Sequence, residues 1–485
     1  MHLLGIDLGT SSIKAVLMND QQVILGSNSQ ALAVTRPQVG WSEQDPADWL
    51  TAVDHALQTL QQAHPQAMAD VQGLALSGQM HGATLVDAQN QVLRPCILWN
   101  DTRSYQEAAA LDANPIFRQL SGNIVFPGFT APKLVWVQKH EPALFAKLHK
   151  LLLPKDYVRW WLTGEYASDM SDAAGTAWLD VAKRVWSPEL LAGSGMRIEQ
   201  MPQVLEGTAV SGYLHPRLAE RWGIKQRVVV AGGAGDNAAA ACGMGTVTAG
   251  SAFVSLGTSG VLFAATARYL PNPESAVHTF CHALPNTWHQ MGVILSATDS
   301  LNWYAQIANQ SPVALTQALG ENLKPPSRVS FLPYLSGERT PHNDAKIRGA
   351  FIGLSHADQQ VDLTQAVLEG VAFAIRDNLA ALKAAGSHLE RVTAVGGGSR
   401  SPYWLKVLAT TLNLPIDLPA EGDFGAAFGA ARLALIAATQ AEPFSVLTVP
   451  AVAQTIEPET QFIQAFNEAY AHYQHLYPAL KGASL

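Results

Sequence analysis

Cysteine is scarce: Cys96, Cys242 and Cys281 are the only three in 485 residues, far apart and never in C-x-x-C spacing. That spacing argues against a disulfide framework or a zinc knuckle. Charge is scarce too, with Asp, Glu, Lys and Arg making up 14% of the chain, a net charge of −8 and no long Lys/Arg run. Nucleic acid is therefore not an expected partner, and an anionic ligand has to be held by local donors. No run of about 18 uncharged apolar residues offers a membrane span. The N-terminus reaches Asp7 without a basic segment or an apolar core, so a cytoplasmic location without a membrane partner is expected. The familiar nucleotide signatures are also missing: there is no Walker A sequence and no protein-kinase catalytic loop. Gly396-Gly397-Gly398 fails G-x-G-x-x-G because Ser401 stands where the last glycine belongs. His140-Glu141 opens like a zinc-protease helix, but Pro142 follows and the second histidine is absent.

Apolar residues are abundant, at 48% of the chain, with a mean hydropathy of +0.07. This predicts a globular protein with a large interior. The segment Leu8-Gly9-Thr10-Ser11 recurs half a chain later as Leu256-Gly257-Thr258-Ser259. In both copies an apolar run precedes the segment and another follows, Ile13 to Met18 in the first and Val261 to Ala265 in the second. Each copy reads as a β-hairpin whose turn offers backbone N–H groups and hydroxyls to a phosphate. The repetition predicts a duplicated chain of two lobes, residues 1–244 and 245–485, whose turns face each other across a cleft. Thr10, Gly257 and Thr258 are the candidate phosphate ligands.

Strands alternate with helices in both halves, which makes the class α/β. In the first half a helical stretch, Ala47 to Ala63, precedes an apolar strand, Val71 to Leu76, that runs into Ser77-Gly78-Gln79-Met80-His81-Gly82. Strand ends of this kind carry ligand contacts in α/β folds, and His81 is a fair donor for a polyol hydroxyl. Trp99, Asn100, Asp101 and Arg103 combine a flat apolar face with fixed polar groups, the mixture a sugar needs. A buried strand, Arg227 to Ala231, leads through glycines to Asp236-Asn237 at a helix start. Asp7 ends an apolar strand, where a carboxylate is costly without a partner, and Mg²⁺ beside phosphates would provide one. A helix N-terminus lowers a carboxylate's pKa, so Asp236 is expected to be a weak base. In the second half, Asp362 with Gln365 resembles a capping box, and Gly386 ends that helix. Strand Arg391 to Val395 then breaks at Gly396-Gly397-Gly398-Ser399, and Ser401 with Pro402 starts another helix.

Two longer patterns extend these readings. Gly128-Phe129-Thr130-Ala131-Pro132-Lys133-Leu134-Val135-Trp136-Val137-Gln138-Lys139-His140, and Gly349-Ala350-Phe351-Ile352-Gly353-Leu354 continued through Asp362-Leu363 to Ala366-Val367-Leu368-Glu369, resemble the two signatures of the FGGY carbohydrate kinases. The resemblance runs from Met1 to about Arg432. It implies a two-lobed fold of the ribonuclease H-like, actin-like ATPase type, with a duplicated β-sheet domain and an interlobe cleft. It also implies a kinase using ATP and Mg²⁺ on a small sugar, with homodimers common in the family. Met80, His81 and Trp99 would then contact the sugar. Asp236 would be the catalytic base with Asn237 beside it, and Asp7 the essential carboxylate at the metal. Thr10, Gly257, Thr258, Gly397, Gly398 and Ser399 would hold ATP. Glycerol kinases carry Arg-Glu where this chain has Met80-His81, which favours a ketopentose, D-xylulose, over glycerol. Ribulose and gluconate are the alternatives. A regulator on the same fold would bring a basic helix-turn-helix ahead of the hairpin, and an actin- or Hsp70-like ATPase would lack the cluster around Met80, His81 and Trp99.

Overall fold

The computed structural model describes residues 1–420, 422 and 424–482. Residues 421, 423 and 483–485, the last three of which end the second expected lobe, lie outside the described residues.

The first large sheet contains β1 His2–Leu8, β2 Ser12–Asn19, β3 Ile24–Ala31, β4 Val71–Gly78, β5 Val210–Tyr213, β6 Val229–Ala231 and β7 Ala234–Gly235. The second contains β8 Ala252–Leu256, β9 Gly260–Thr266, β10 His278–Cys281, β11 Trp288–Ile294, β12 Val392–Val395, β13 Ile416–Pro419 and β14 Val452–Ile456. The first sheet runs in the order β5-β6-β4-β1-β2-β3 with β7 beside β4, and the second in the order β10-β11-β9-β8-β12-β13-β14. In both, the founding hairpin is antiparallel (β1 with β2, β8 with β9) and continues antiparallel on one side. On the other side two parallel strands follow, β4 and β6 in the first sheet and β12 and β13 in the second. The repeated Gly-Thr-Ser segment thus marks a duplication of five strands in the same order, and the expected two-sheet α/β architecture is what the chain adopts.

The helices that position the site are α1 Pro46–Ala63, α2 Thr130–His140, α3 Met170–Ala174, α4 Asp236–Met244, α5 Thr298–Ile307, α6 Gln360–Ala384, α7 Pro402–Leu412 and α8 Ala426–Thr439. Strand β1 is apolar on both faces because both are covered. Leu4, Ile6 and Leu8 pack with Trp49, Val53 and Leu57 of α1, while Leu3 packs with Leu433 and Ala434 of α8. Helix α8 therefore lies on the first sheet although its sequence belongs to the second half. The crossing of α4 and α8 is made by small residues: a methyl on Gly429 would fall 1.8 Å from the Ala239 carbonyl oxygen.

The capping of α6 differs from expectation. The helix begins one turn early, with Gln359 as N-cap donating its backbone N–H to Asp362 Oδ2 at 2.8 Å. Asp362 is thus the third helical residue, and Gln365 instead bonds Glu369 and the Pro325 carbonyl. Gly386 follows the end of α6 at φ +103°. Ser401 caps α7 through the Trp404 N–H, with Pro402 first in the helix, as its sequence predicts. Among the described residues, no helix is long and apolar enough to cross a membrane.

Candidate active site

Register brings the two candidate carboxylates to one sheet edge. Asp7 is opposite Ser77, and Ser77 is opposite Ala234, two residues before Asp236. Neighbouring strands lie about 4.8 Å apart, so the chains bearing Asp7 and Asp236 are about 10 Å apart across β4. Ser77 Oγ donates to Asp7 Oδ1 at 3.0 Å. Asp236 is the first residue of α4, and its Oδ1 accepts from Asn237 N at 2.7 Å and Asn237 Nδ2 at 2.9 Å. Asn237 thus orients the Asp236 carboxyl. Burial, and next the charge of Asp7, push the Asp236 carboxyl up to about 6. The expected lowering by the helix end is overturned. Desolvation and a like charge outweigh the Asn237 hydrogen bonds, so the group is half-ionised near pH 6 and mostly ionised at neutral pH.

One short helix ties this carboxylate to the polar loop after β4. Ser171 Oγ on α3 accepts from Gly235 N at 3.0 Å, directly ahead of Asp236. The carbonyl of Gly175, just past α3, bonds His81 Nδ1 at 2.6 Å. Glycine is required there because a methyl on Gly175 would fall 2.4 Å from His81 Cε1 and 2.8 Å from the Met80 methyl. Met80 fills the space over Gly235, where an added methyl would come within 3.1 Å of its Sδ. A carbonyl can only accept, so Nδ1 carries the proton. Burial, then the nearby Lys133 charge, lower the His81 pKa to about 3. The imidazole is neutral with Nε2 unprotonated. His81 therefore offers a polyol an acceptor at Nε2, not the donor expected from sequence.

Part of the expected sugar cluster has another role. The buried Asp101 is bonded by Arg103 Nε at 2.9 Å, Arg103 Nη2 at 2.6 Å and Ser42 N at 2.6 Å. Arg103 also pairs with Glu43 at 2.7 Å and lies 3.5 Å over the Trp41 ring. These two residues stabilise the loop and have no polar group left for a sugar except Arg103 Nη1, which is itself buried. Trp99 is 47% exposed, so its indole face is available, and its Nε1 donates to Thr10 Oγ1 at 2.9 Å.

The first turn closes through Gly9 N to the Ser12 carbonyl at 3.0 Å. The Thr10 hydroxyl donates to Gln79 Oε1 at 3.0 Å while accepting from Trp99. What Thr10 keeps for a ligand is its backbone N–H. In the second turn the Gly257 carbonyl accepts from Thr298 N and Thr298 Oγ1 at the start of α5. The Thr258 carbonyl accepts from Ala297 N at 2.7 Å, leaving the exposed Thr258 and Ser259 side chains outward.

Gly396 has φ +91°, with an added methyl 2.7 Å from the Leu256 carbonyl oxygen, so the chain turns where only glycine fits. Gly397 is exposed with nothing within 4 Å of where a methyl would sit. The Ser399 hydroxyl donates to the Gly396 carbonyl at 2.7 Å and stabilises the turn. Beside Gly397 and Gly398 lies a cavity of about 650 Å³ walled by Leu301, Asn302, Pro312, Val313, Gln317 and Pro402. Sequence reading missed this wall. The only signal was the helix-starting Ser311-Pro312 pair, which says nothing of what faces inward.

Residues 2–243 match the model of the FGGY family of carbohydrate kinases, N-terminal domain. Residues 252–438 match that of the C-terminal domain. The chain is 48% identical over 483 residues to a xylulose kinase of Escherichia coli (strain K12), covering 98% of this chain and 99% of that one. It superposes on the crystal structure of a xyloylose kinase from Brucella ovis with a TM-score of 0.99 at 63% identity, all of both chains being covered. A xylulose kinase from Rhodospirillum rubrum aligns with a TM-score of 0.93 at 27% identity over 99% of each chain. With both halves matched, and relatives similar over their whole length, the chain belongs to the FGGY family of carbohydrate kinases.

Proposed function

We propose that this chain transfers the γ-phosphoryl group of ATP to D-xylulose, giving D-xylulose 5-phosphate and ADP. The observation that carries the reading is helix α3, which supports the chain at Asp236 through Ser171 and His81 through Gly175. It fixes a carboxylate of raised pKa and a sugar-type acceptor relative to one another. Full-length similarity to xylulose kinases supports the substrate.

The sugar hydroxyl oxygen attacks the γ-phosphorus, the bond to the β,γ-bridging oxygen breaks, and the hydroxyl proton passes to Asp236. Both Asn237 bonds fall on Oδ1, so Oδ2 faces the hydroxyl as orienter first and proton acceptor second. Phosphoryl transfer asks mainly for alignment and charge neutralisation. The Gly-Thr-Ser turns supply N–H groups to the phosphates from both sides. The cavity beside Gly397 and Gly398 takes the adenosine, its apolar walls against the base and the Asn302 and Gln317 amides in reach of its polar edge.

Two carboxylates on one edge, one raising the other's pKa, fit a divalent cation. Asp7 would hold Mg²⁺, which keeps most of its ligands as water and phosphate oxygens and when bound offsets charge on the phosphates. Among the described residues no group of three His, Cys, Asp or Glu side chains is placed to hold a metal ion. In this reading residues 1–244 carry the sugar, the base and Asp7, and residues 245–485 carry ATP. The reaction belongs in the cytoplasm, where ATP is supplied.

A coupled ADP-release assay across D-xylulose, ribulose, gluconate and glycerol tests the substrate. Xylulose is expected to give the highest kcat/KM by at least tenfold. Turnover of ribulose or glycerol at an equal rate would overturn the assignment.

A further inference from the structure

Lys133 is completely buried, yet its ammonium bonds two backbone carbonyls: those of His81 and Gly128, each at 2.7 Å. Burying an amine is costly, and here burial pushes its pKa down to about 7. Two further groups of the same helix turn address His81. Thr130 Oγ1 donates to the His81 carbonyl at 3.2 Å, and the Phe129 ring stacks on the imidazole at 4.7 Å with 15° between planes. Phe129 caps α2, and Thr130 and Lys133 form its first turn. What they hold is strained: His81 has φ +69°, a left-handed conformation that a non-glycine residue keeps only when its surroundings over-determine it. Opposite the clamp, the Gly175 carbonyl accepts the hydrogen bond from Nδ1–H, so these constraints on His81 leave Nε2 for a ligand.

We propose that Lys133 is a positioning residue for the sugar, holding the His81 carbonyl so that the imidazole presents Nε2 as an acceptor to a substrate hydroxyl. This rests on the reading of His81 as a sugar ligand. The first family-like stretch, Gly128 to His140, thereby acquires a role: its helix start is the clamp for the histidine. Without the clamp the backbone relaxes toward negative φ, the ring leaves Phe129, and sugar affinity falls while the nucleotide side is untouched.

The test is a double-mutant cycle on steady-state kinetics with His81→Ala, Lys133→Met and their combination. His81→Ala is expected to raise the xylulose KM at least tenfold. Lys133→Met is expected to raise it by a similar factor, with the ATP KM within twofold of wild type. The double variant is expected to be no worse than the poorer single one, because Lys133 acts through His81. In ¹⁵N spectra, wild-type His81 should be a single Nδ1–H tautomer and should become a mixture in Lys133→Met. If Lys133→Met does not fold, Thr130→Val, with an expected KM rise of two- to fivefold, takes its place in the same cycle. Losses that multiply in the double variant, or a KM within twofold of wild type in the clamp variant, overturn the proposal while leaving the sugar site standing. A His81→Ala enzyme with unchanged xylulose KM would instead overturn the sugar assignment beneath it.

Discussion

Asp7 raises the pKa of Asp236 from across the sheet. The two carboxylates sit on strand ends flanking β4, and after burial the Asp7 charge is the largest influence holding Asp236 at about 6. The same arrangement gives Asp236 basicity and gives a cation two negative groups to approach. These two properties are linked: whatever neutralises Asp7 also releases Asp236 toward ordinary carboxylate behaviour.

The first consequence concerns pH and rate. A base has to be ionised to accept a proton, so kcat/KM for xylulose should rise with pH through about 6 and level off above it, reporting the free enzyme. Initial rates between pH 4.5 and 8.5 measure this limb. A profile flat down to pH 4.5 would mean that Asp236 is not raised.

The second concerns stability. Folding raises the Asp236 pKa from 3.8 to about 6. Its favourable contribution is therefore complete below pH 3.8 and is lost as pH rises through 6. Asp236→Asn lacks that loss, so the variant should be more stable than wild type well above pH 6 by about 3 kcal/mol. Urea unfolding at pH 8 and at pH 4.5 checks both ends, with the gap narrowing at the lower pH. A variant less stable than wild type at pH 8 would contradict this origin of the shift.

The third separates scaffold from nucleotide contact with two glycines. Gly429→Ala drives a methyl to 1.8 Å from the Ala239 carbonyl oxygen, on the helix that begins with Asp236. It should cost about 1 to 3 kcal/mol and lower kcat as α4 shifts. Gly397→Ala meets nothing within 4 Å, so its melting temperature should stay within a degree or two while the ATP KM rises several-fold. Equal effects of both substitutions on stability would refute the distinction.

Much of this was legible in the chain because it is local. The Gly-Thr-Ser turns, the Ser401-Pro402 helix start and the glycine end of α6 are decided within a few residues by backbone freedom and capping. The duplication was legible because those turns repeat. Asp7, Asp236, Met80 and His81 were found at the ends of apolar strands, and register then placed the first two on one edge. What failed depended on neighbours distant in sequence. The Asp236 pKa followed burial and Asp7 rather than its own helix. The His81 tautomer followed the Gly175 carbonyl, 94 positions away. Asp101 and Arg103 looked like sugar ligands until Glu43 and Trp41 were found against them. The packing of α8 on the first sheet has no periodic or motif signal, and at the cavity wall around Val313 the Ser311-Pro312 helix start says nothing of what faces inward. They arise from how the two halves fold together.

In the proposed reaction Asp236 orients and deprotonates the xylulose hydroxyl. The most direct measurement is steady-state kinetics of Asp236→Asn with ATP and D-xylulose, alongside sugar binding by calorimetry. The expected result is kcat lower by several orders of magnitude with sugar affinity within a few fold of wild type. Near-normal turnover in that variant would contradict it.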